Sequence, residues 1–286
     1  MAAVSAFGSE LRRWRRERGK SQLEVSHISG YSQRHVSFLE SGRSQPTRTT
    51  VITLAEALDV PVKDRNQLLH AAGFAPIYSH LPIDSTRLQH AVGALECVLD
   101  SHRPFPAILV DRGWDTHAAN DSALALFQNF LATPLSLAAD RPLNAMRLCL
   151  DPTGLRPFIR NWPEFVSSLV VRLRHELSVA GDDVALRGLV DEIECDSQYV
   201  AHRRNADAAA ADPVATLCLE RDGVRIDLFS LISSFGTPND ATLSELRVET
   251  FFPADDASRN ALLSLTGDAA RPPRVAPAFA AWRSAG

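Results

Sequence analysis

The stretch at residues 21–42 constrains the fold more than any other part of this chain. Ser21 and Glu24 have the spacing of a capping box, in which two residues satisfy each other's free backbone amides at the start of a helix. Gly30 allows the positive φ of a sharp turn, and Ser32 is a favourable N-cap for a second helix. The stretch therefore predicts two short helices joined by a tight turn.

The second of these helices is predicted to have one buried face and one exposed face. Val36 and Leu39 form its apolar side, and Val25 and Ile28 of the preceding helix are expected to point inward. Steps of about 100° per residue place four side chains on the opposite face of the second helix. These four are Gln33, Arg34, Ser37 and Phe38.

The exposed side chains are chemically suited to the major groove of DNA. Glutamine can bond to adenine and arginine to guanine, each through two hydrogen bonds, whereas serine can bond to several base edges. The ring of Phe38 could pack on a thymine methyl group. The alternative for Phe38 is a contact with the rest of the protein or with a second subunit.

Three more helices are predicted around this pair. Phe7, Leu11 and Trp14 recur at helical spacing before it, on a segment whose other faces carry arginines. Thr47 is positioned to cap a helix after the pair, and Pro61 opens another. Residues 1–75 are therefore expected to form a compact all-α domain.

Charge is distributed unevenly along the 286 residues of the chain. Residues 1–50 carry nine Lys and Arg against four Asp and Glu, a net of +5, whereas the whole chain has a formal net charge of −4. A basic N-terminal segment followed by an acidic remainder is typical of a protein whose contact with a polyanion is confined to one domain.

Cysteine spacing and hydropathy indicate the compartment. The four cysteines show no C-x-x-C pair, which predicts free buried thiols in a reducing cytoplasm and no metal site. The sequence has neither a signal peptide nor a run of about 18 apolar residues, so no membrane segment is expected. The cysteines are Cys97, Cys149, Cys195 and Cys218.

The residue pattern over 7–72 resembles the Cro/CI-type helix-turn-helix of the XRE family. Ser26 stands where that family usually has Ala, and Leu23 stands where a polar residue is usual. The resemblance implies a lambda-repressor-like fold and a bacterial, cytoplasmic regulator that is associated with the nucleoid when bound to DNA. The positions that carry the resemblance are Ser21, Gln22, Ser26, Gly30, Ser32, Val36, Leu39, Glu40 and Gly42.

The same resemblance assigns roles to individual side chains. It implies that Gln22, Arg43 and Arg48 hold the phosphate backbone of double-stranded DNA. It implies that the exposed face of the second helix reads bases, through Gln33, Arg34, Ser37 and Phe38. One half-site offers few base contacts, so a homodimer on a palindromic operator is expected.

The remainder of the chain predicts a linker, a mixed domain and a tail. Residues 76–85 are Pro-containing and aperiodic, which is typical of a linker. Residues 86–267 contain strand patterns at 107–110, 114–118, 214–219, 224–231 and 245–252, with helical patterns between the second and the third. This order predicts an α+β, PAS-like domain with an antiparallel sheet of about five strands and flanking helices. Residues 268–286 are rich in Pro, Ala and Arg and predict a disordered tail.

The order of these pieces is similar to the MmyB-like ligand-binding domain. That family usually has a His-Pro pair before the third strand, and Asp212-Pro213 stands there in this chain. The resemblance implies a small apolar, fatty-acid-like ligand in a PAS-like cavity, with no other cofactor. Besides the order of the elements it is carried by Asn144, Arg147, Trp162 and the helix with Arg172 and Arg174.

Candidate ligand-binding residues follow from the chemistry of such a molecule. A carboxylate needs a cationic or amide partner, which suggests Arg147 and Asn144, with Trp162 as a wall of the cavity. The alternative is that Arg147 makes a structural salt bridge and that Trp162 belongs to the core.

Two other functions are alternatives to a ligand-controlled regulator. An enzyme is disfavoured because the sequence has no G-x-S-x-G, H-E-x-x-H, Walker or G-x-G-x-x-G motif, and no catalytic residue is nominated. A ligand-independent DNA-binding repressor, whose C-terminal domain only dimerises, would share every N-terminal feature. An apolar cavity in the C-terminal domain would favour sensing over that second alternative.

Overall fold

The computed structural model of the chain describes residues 5–83, 85–132, 143–180, 183–205, 214–236, 238 and 240–266. The predicted tail at 268–286 and the Asp212-Pro213 pair lie outside these residues. The chain divides into two compact units. The first unit comprises Met1–Leu81, His175–Asp183 and Thr237–Ser244, and the second comprises Pro82–Arg174, Val184–Gly236 and Glu245–Gly286.

All five predicted N-terminal helices are present in the first unit. Ser5, Ser21, Ser32 and Thr47 each accept a backbone N–H bond at the start of a helix, which satisfies amides that would otherwise lack a partner. The helices are α1 (Ala6–Glu17), α2 (Gln22–Ser29), α3 (Gln33–Glu40), α4 (Arg48–Ala57) and α5 (Val62–Ala71).

The helix–turn–helix geometry of α2 and α3 confirms the local signals in the sequence. The Ser21 hydroxyl accepts from the amide of Glu24 at 3.1 Å, and the Glu24 carboxylate accepts from the amide of Ser21 at 2.6 Å. Gly30 ends α2 with φ of 76°, in the left-handed region that glycine adopts without steric cost.

The core of the first unit is built from one apolar stripe of each helix. Phe7, Leu11 and Trp14 of α1 pack with Val36 and Leu39 of α3, as the spacing predicts. Ile28 is 55% exposed, so the expectation that it points inward is wrong. It lies in the last turn of α2, one residue before the helix ends, whereas the buried side of α2 centres on Val25.

The remaining elements are helices and the strands of one sheet, with six consecutive helical elements in the described residues between the second and the third strand. They are α6 (Gln89–Ser101), β1 (Ala107–Val110), β2 (Thr116–Ala119), α7 (Asp121–Phe130), α8 (Ala145–Leu150), a 3₁₀ turn (Arg156–Phe158), α9 (Trp162–Ala180), α10 (Val184–Glu194), α11 (Ser197–Asn205), β3 (Thr216–Arg221), β4 (Val224–Ser234), α12 (Ala241–Glu245), β5 (Arg247–Pro253) and α13 (Asp256–Thr266). Among the described residues no helix is both long and apolar enough to cross a membrane.

The sheet of the second unit has five antiparallel strands, as predicted, and their order is β2-β1-β5-β4-β3. Asp222 and Gly223 join β3 to β4, both with positive φ, which is the backbone of a tight hairpin turn. β2 begins two residues later than predicted because Trp114 has φ of 68° and belongs to the turn.

One face of this sheet carries Ile108, Leu217, Leu228 and Glu249, whose strands are aligned by the ladder registers. Side chains of α7, α8 and α9 stand opposite these residues and enclose a cavity with them. An apolar cavity is therefore formed between the sheet and three helices of the second unit.

Candidate functional site

The solvent side of α3 presents the four side chains that were predicted to read bases. Gln33 and Arg34 are exposed, and Ser37 and Phe38 are half-buried. Val36 and Leu39, on the opposite side of the helix, are fully buried. The buried side fixes the rotation of α3, so the four polar-face residues form one accessible surface.

Phe38 contacts two arginines on this surface. The Arg34 and Arg43 guanidinium carbons lie 5.1 Å and 5.9 Å from the centre of its ring. A cation over an aromatic face is stabilised by about 0.5–1 kcal/mol at an exposed site. Phe38 therefore holds Arg34, which is predicted to contact bases, beside Arg43, which is predicted to contact phosphate.

The predicted phosphate contacts differ in their surroundings. Arg43 and Arg48 are exposed, and the Arg48 guanidinium carbon lies 5.7 Å from the centre of the Phe74 ring. Gln22 is half-buried, and its amide nitrogen donates to the Glu40 carboxylate at 2.9 Å. Gln22 thus has a structural partner inside the first unit.

Glu40 is the centre of a buried hydrogen-bonded network. Its carboxylate, only 1% exposed, accepts from Arg15 at 2.6 Å and 3.1 Å and from Arg12 at 3.4 Å, in addition to the bond from Gln22. Burial favours the neutral acid, but the bonds from Arg15 and Gln22 and the charges of Arg15 and Arg12 outweigh it. Together they hold the pKa of Glu40 below its ordinary value.

This network joins α1, α2 and α3 through one carboxylate and was not predicted. The spacing of Phe7, Leu11 and Trp14 placed Arg12 and Arg15 on the other faces of α1. The available signal was Glu40 itself, a carboxylate that directly follows the core residue Leu39. A buried carboxylate requires cationic or N–H partners.

The cavity in the second unit has a volume of about 170 Å³. Most of its lining is aliphatic or aromatic, including Leu126, Met146, Phe165 and Leu217. An apolar cavity with a few polar groups is the usual form of a small-molecule site in proteins.

The charged part of the lining is an ion pair between α9 and β5. Arg172 donates from Nη1 to Oε1 of Glu249 at 3.2 Å, and the Ser230 hydroxyl donates to the same oxygen at 2.7 Å. The Arg172 guanidinium carbon also lies 4.2 Å from the centre of the buried Trp114 ring. These contacts fix the position of the pair at the cavity wall.

The residues nominated for ligand binding have other positions. Asn144, Arg147 and Trp162 do not line the cavity within the described part of the chain. Arg147 is 61% exposed and pairs with Glu192 at 3.7 Å. The indole of Trp162 is buried and donates to the carbonyl of Cys149 at 2.9 Å.

The side chain of Asn144 forms hydrogen bonds with other groups of the protein. Its side-chain oxygen accepts from the amide of Arg147 and caps α8, and its nitrogen donates to the carbonyl of Gly113 and to the carboxylate of Asp115. The structure thus gives these three residues other contacts: Asn144 caps a helix, Arg147 forms a surface ion pair and Trp162 belongs to the core.

Sequence reasoning did not nominate Arg172, Glu249 or Ser230 as ligand residues. Arg172 follows Phe165 and Leu169 by seven and three residues, so it falls on their side of α9. Glu249 lies on the opposite face of β5 from Val248 and Thr250, and the structure shows that α9 covers this face. The sequence therefore indicates the side of α9 on which Arg172 lies but contains no signal for its contact with Glu249.

Cys149 provides a test of how closed the cavity wall is. Burial and the charge of Glu249 raise the pKa of its thiol to about 12, whereas Cys97 and Cys195 are exposed. We expect iodoacetamide at pH 8 to alkylate Cys97 and Cys195 and to leave Cys149 unmodified, because the reactive species is the thiolate. Peptide mass spectrometry measures this, and alkylation in urea provides the control. Modification of native Cys149 at the rate of Cys97 would contradict the enclosed wall.

Comparison with known proteins matches two stretches of the chain to described families. Residues 92–265 match the family model described as the MmyB-like transcription regulator ligand binding domain, and residues 11–64 match a helix-turn-helix model. Over 53 residues the chain is 51% identical to the uncharacterized HTH-type transcriptional regulator y4dJ of Sinorhizobium fredii (strain NBRC 101917 / NGR234). That stretch covers 18% of this chain and 69% of the relative. The chain therefore belongs to the MmyB-like transcription regulators, in which a DNA-binding helix-turn-helix is combined with a ligand-binding domain.

Proposed function

We propose that α3 enters the major groove of DNA and that Gln33, Arg34, Ser37 and Phe38 read base edges there. The observation that carries this proposal is their shared accessible surface, opposite the buried Val36 and Leu39. Phosphate groups would then be held by Gln22 at the start of α2 and by the exposed Arg43 and Arg48.

We further propose that the protein works in the bacterial cytoplasm as a homodimer on a palindromic operator. Four side chains give too few base contacts for high affinity at one half-site, and a two-fold dimer doubles them. In this proposal residues 1–75 bind DNA, 76–85 link the domains and 86–267 bind the ligand and dimerise.

We infer that the cavity receives a ligand that is fatty-acid-like in having an apolar body and one polar head. The predominantly apolar lining and the ion pair of Arg172 and Glu249 support this inference. The cavity also favours sensing over the alternative in which the C-terminal domain serves only for dimerisation, because a domain used only for dimerisation needs no internal space.

Arg34→Ala tests the recognition surface. We expect operator affinity to fall by about 1–3 kcal/mol, roughly five- to 150-fold, because a bidentate contact to guanine is lost. Discrimination should relax at one base position, while the melting temperature stays unchanged. Fluorescence anisotropy with a DNA site selected from a random-sequence pool measures both effects.

Arg16→Ala is the matched control for that experiment. Arg16 is exposed on α1 and carries the same charge, but it lies outside the α3 surface. Its removal should leave base discrimination unchanged. Wild-type affinity and discrimination in Arg34→Ala would contradict the assignment of α3 as the reading helix.

A further inference from the structure

The strand β4 extends beyond the end of β3, which pairs with its first half. Thr216, the first residue of β3, lies opposite Phe229, and β4 continues from there to Ser234. On its other side β4 pairs with β5 over 228–234 in a constant register. Among the described residues, the segment 230–234 therefore has a strand partner on one side only. We call this segment the open edge of β4.

The backbone of the open edge directs hydrogen-bonding groups away from the sheet at every second residue. Val224 closes the two-residue turn to β3 opposite Arg221. Val224 and every second residue after it therefore point their N–H and C=O groups to the β3 side. The constant register with β5 continues this alternation to Ile232 and Ser234. These two residues thus offer donors and acceptors to a further strand.

The side chains of the open edge do not protect it against pairing. The paired half of β4 carries Arg225 and Asp227, whereas the residues at 230–234 include no charged residue and no proline. Leu231 is 56% exposed and Ile232 is 38% exposed, on opposite faces of the strand. Edge strands that remain unpaired are usually interrupted by charges, proline or bulges. The open edge is therefore complementary in charge to another strand that carries no charge.

The residues that precede β3 fit the open edge poorly. The register of β3 with β4, continued backward from Thr216 opposite Phe229, would place Pro213 opposite Ile232. Ile232 needs both a donor and an acceptor at that position, and proline has no backbone N–H. Proline is tolerated on an edge strand where its nitrogen faces solvent, not where it faces the neighbouring strand. The uncharged open edge of a second copy has no such defect.

The end of β3 sets the register of a pairing between two copies. Ala215 directly precedes Thr216, and its covalent link keeps it near Ser230 on the open side. A strand of a second copy therefore finds room beyond Ser230, over 231–235. Identical strands pair antiparallel about a two-fold axis, which over these residues lies at Ser233.

We propose that two copies of the chain pair through the open edge of β4, antiparallel about a two-fold axis at Ser233. Ile232 exchanges two backbone hydrogen bonds with Ser234 of the second copy, and the symmetry doubles them to about four. Leu231 packs opposite Phe235 of the second copy, which covers an exposed apolar side chain. This inference rests on the proposed homodimer and assigns its interface.

Cysteine crosslinking tests the register. In a chain with Cys97→Ser and Cys195→Ser, which removes the exposed thiols, Ser233→Cys should form a disulfide-linked dimer under mild oxidation. Directly opposed residues without backbone bonds have Cα atoms about 4.5 Å apart, within the range of a disulfide. Ile232→Cys is the matched control, because it is exposed on the same strand but is two residues, roughly 7 Å along the strand, out of register with its copy. Non-reducing electrophoresis measures both.

Ile232→Pro tests the backbone bonds. It removes an N–H that points to the second copy and leaves the ladder to β5 intact, so the melting temperature should change little. Two bonds are lost per dimer, so the dimer dissociation constant should rise at least about tenfold. Ser234→Ala keeps every backbone group and should leave the constant unchanged. Sedimentation equilibrium over a concentration series extending well above micromolar measures it, because so short a strand pair forms a small interface.

The outcomes separate the interface from the homodimer. A dimer that tolerates Ile232→Pro and does not crosslink at Ser233→Cys would overturn the inference and leave the proposed homodimer intact. A chain that is monomeric both alone and on its selected DNA site would refute both. Equal crosslinking of Ser233→Cys and Ile232→Cys would contradict the two-fold register. The crosslinking result decides the question even if Ile232→Pro does not fold.

Discussion

Glu40→Leu is expected to lower the free energy of unfolding of the first unit by about 3 kcal/mol. The substitution leaves the buried part of the Arg15 guanidinium without its anion and removes the acceptor for Gln22. The figure is the lower end of the range for a broken buried pair, because Arg12 and Arg15 reach solvent in part. Hydrogen exchange of α1 and α3 peptides in increasing urea measures the loss within the full chain.

Glu56→Leu is the control for this change. Glu56 is exposed and pairs with Arg65 at 3.7 Å in the same unit, and such surface pairs contribute at most about 1 kcal/mol. An equal loss of stability in the two variants would show that the buried Glu40 network stabilises the first unit no more than a surface ion pair does.

Acid should reproduce the effect of Glu40→Leu in the wild type. The pKa of Glu40 in the folded protein is lowered relative to the unfolded chain, where a glutamate has a pKa of about 4.3. Its contribution is therefore complete above that pH and is lost as the pH falls through the folded-state pKa. The free energy of unfolding of Glu40→Leu should therefore depend less on pH in this acid range than that of the wild type.

Trp114→Ala is expected to destabilise the second unit by about 3–5 kcal/mol, the usual cost of deleting a large buried aromatic side chain. Trp114 is fully buried, and its ring centre lies 4.2 Å and 5.4 Å from the guanidinium carbons of Arg172 and Arg247. Hydrogen exchange of β1 and β5 peptides measures the loss. Leu231→Ala, on an exposed position of β4, should change stability by less than about 0.5 kcal/mol.

The backbone at Trp114 allows a second comparison. Because its φ is 68°, an alanine there is strained and a glycine is not. Trp114→Gly should therefore be at least as stable as Trp114→Ala, the reverse of the order found in extended strands. A clearly more stable alanine variant would mean that the turn rearranges when the indole is lost.

Local signals were sufficient for most of the fold. The capping box of Ser21 and Glu24, the glycine at position 30 and the Asp222-Gly223 turn act over a few residues, so their geometry can be read from the sequence. The five strands followed from apolar runs and turn residues. The start of β2 was misplaced because nothing in the sequence showed the left-handed backbone of Trp114.

The site residues were predicted less well where they depend on distant partners. Asn144 and Arg147 were chosen for the chemistry of isolated side chains, but tertiary structure gives one a cap and the other an exposed partner. Arg172 and Glu249 are 77 residues apart, and only the packing of α9 over β5 brings them together. The exposed face of α3 was easier to predict because one helix contains all of it.

Among the eight residues of α3, the side chains that face solvent differ from those that anchor the helix in the first unit. Within the described residues, no side-chain hydrogen bond involves Gln33, Arg34 or Ser37, whereas Val36, Leu39 and Glu40 hold the helix in place. Mutations at the first three positions can therefore accumulate with little loss of stability. Under the proposed assignment of α3 as the reading helix, new operator preferences should therefore be accessible by single substitutions that leave the domain folded.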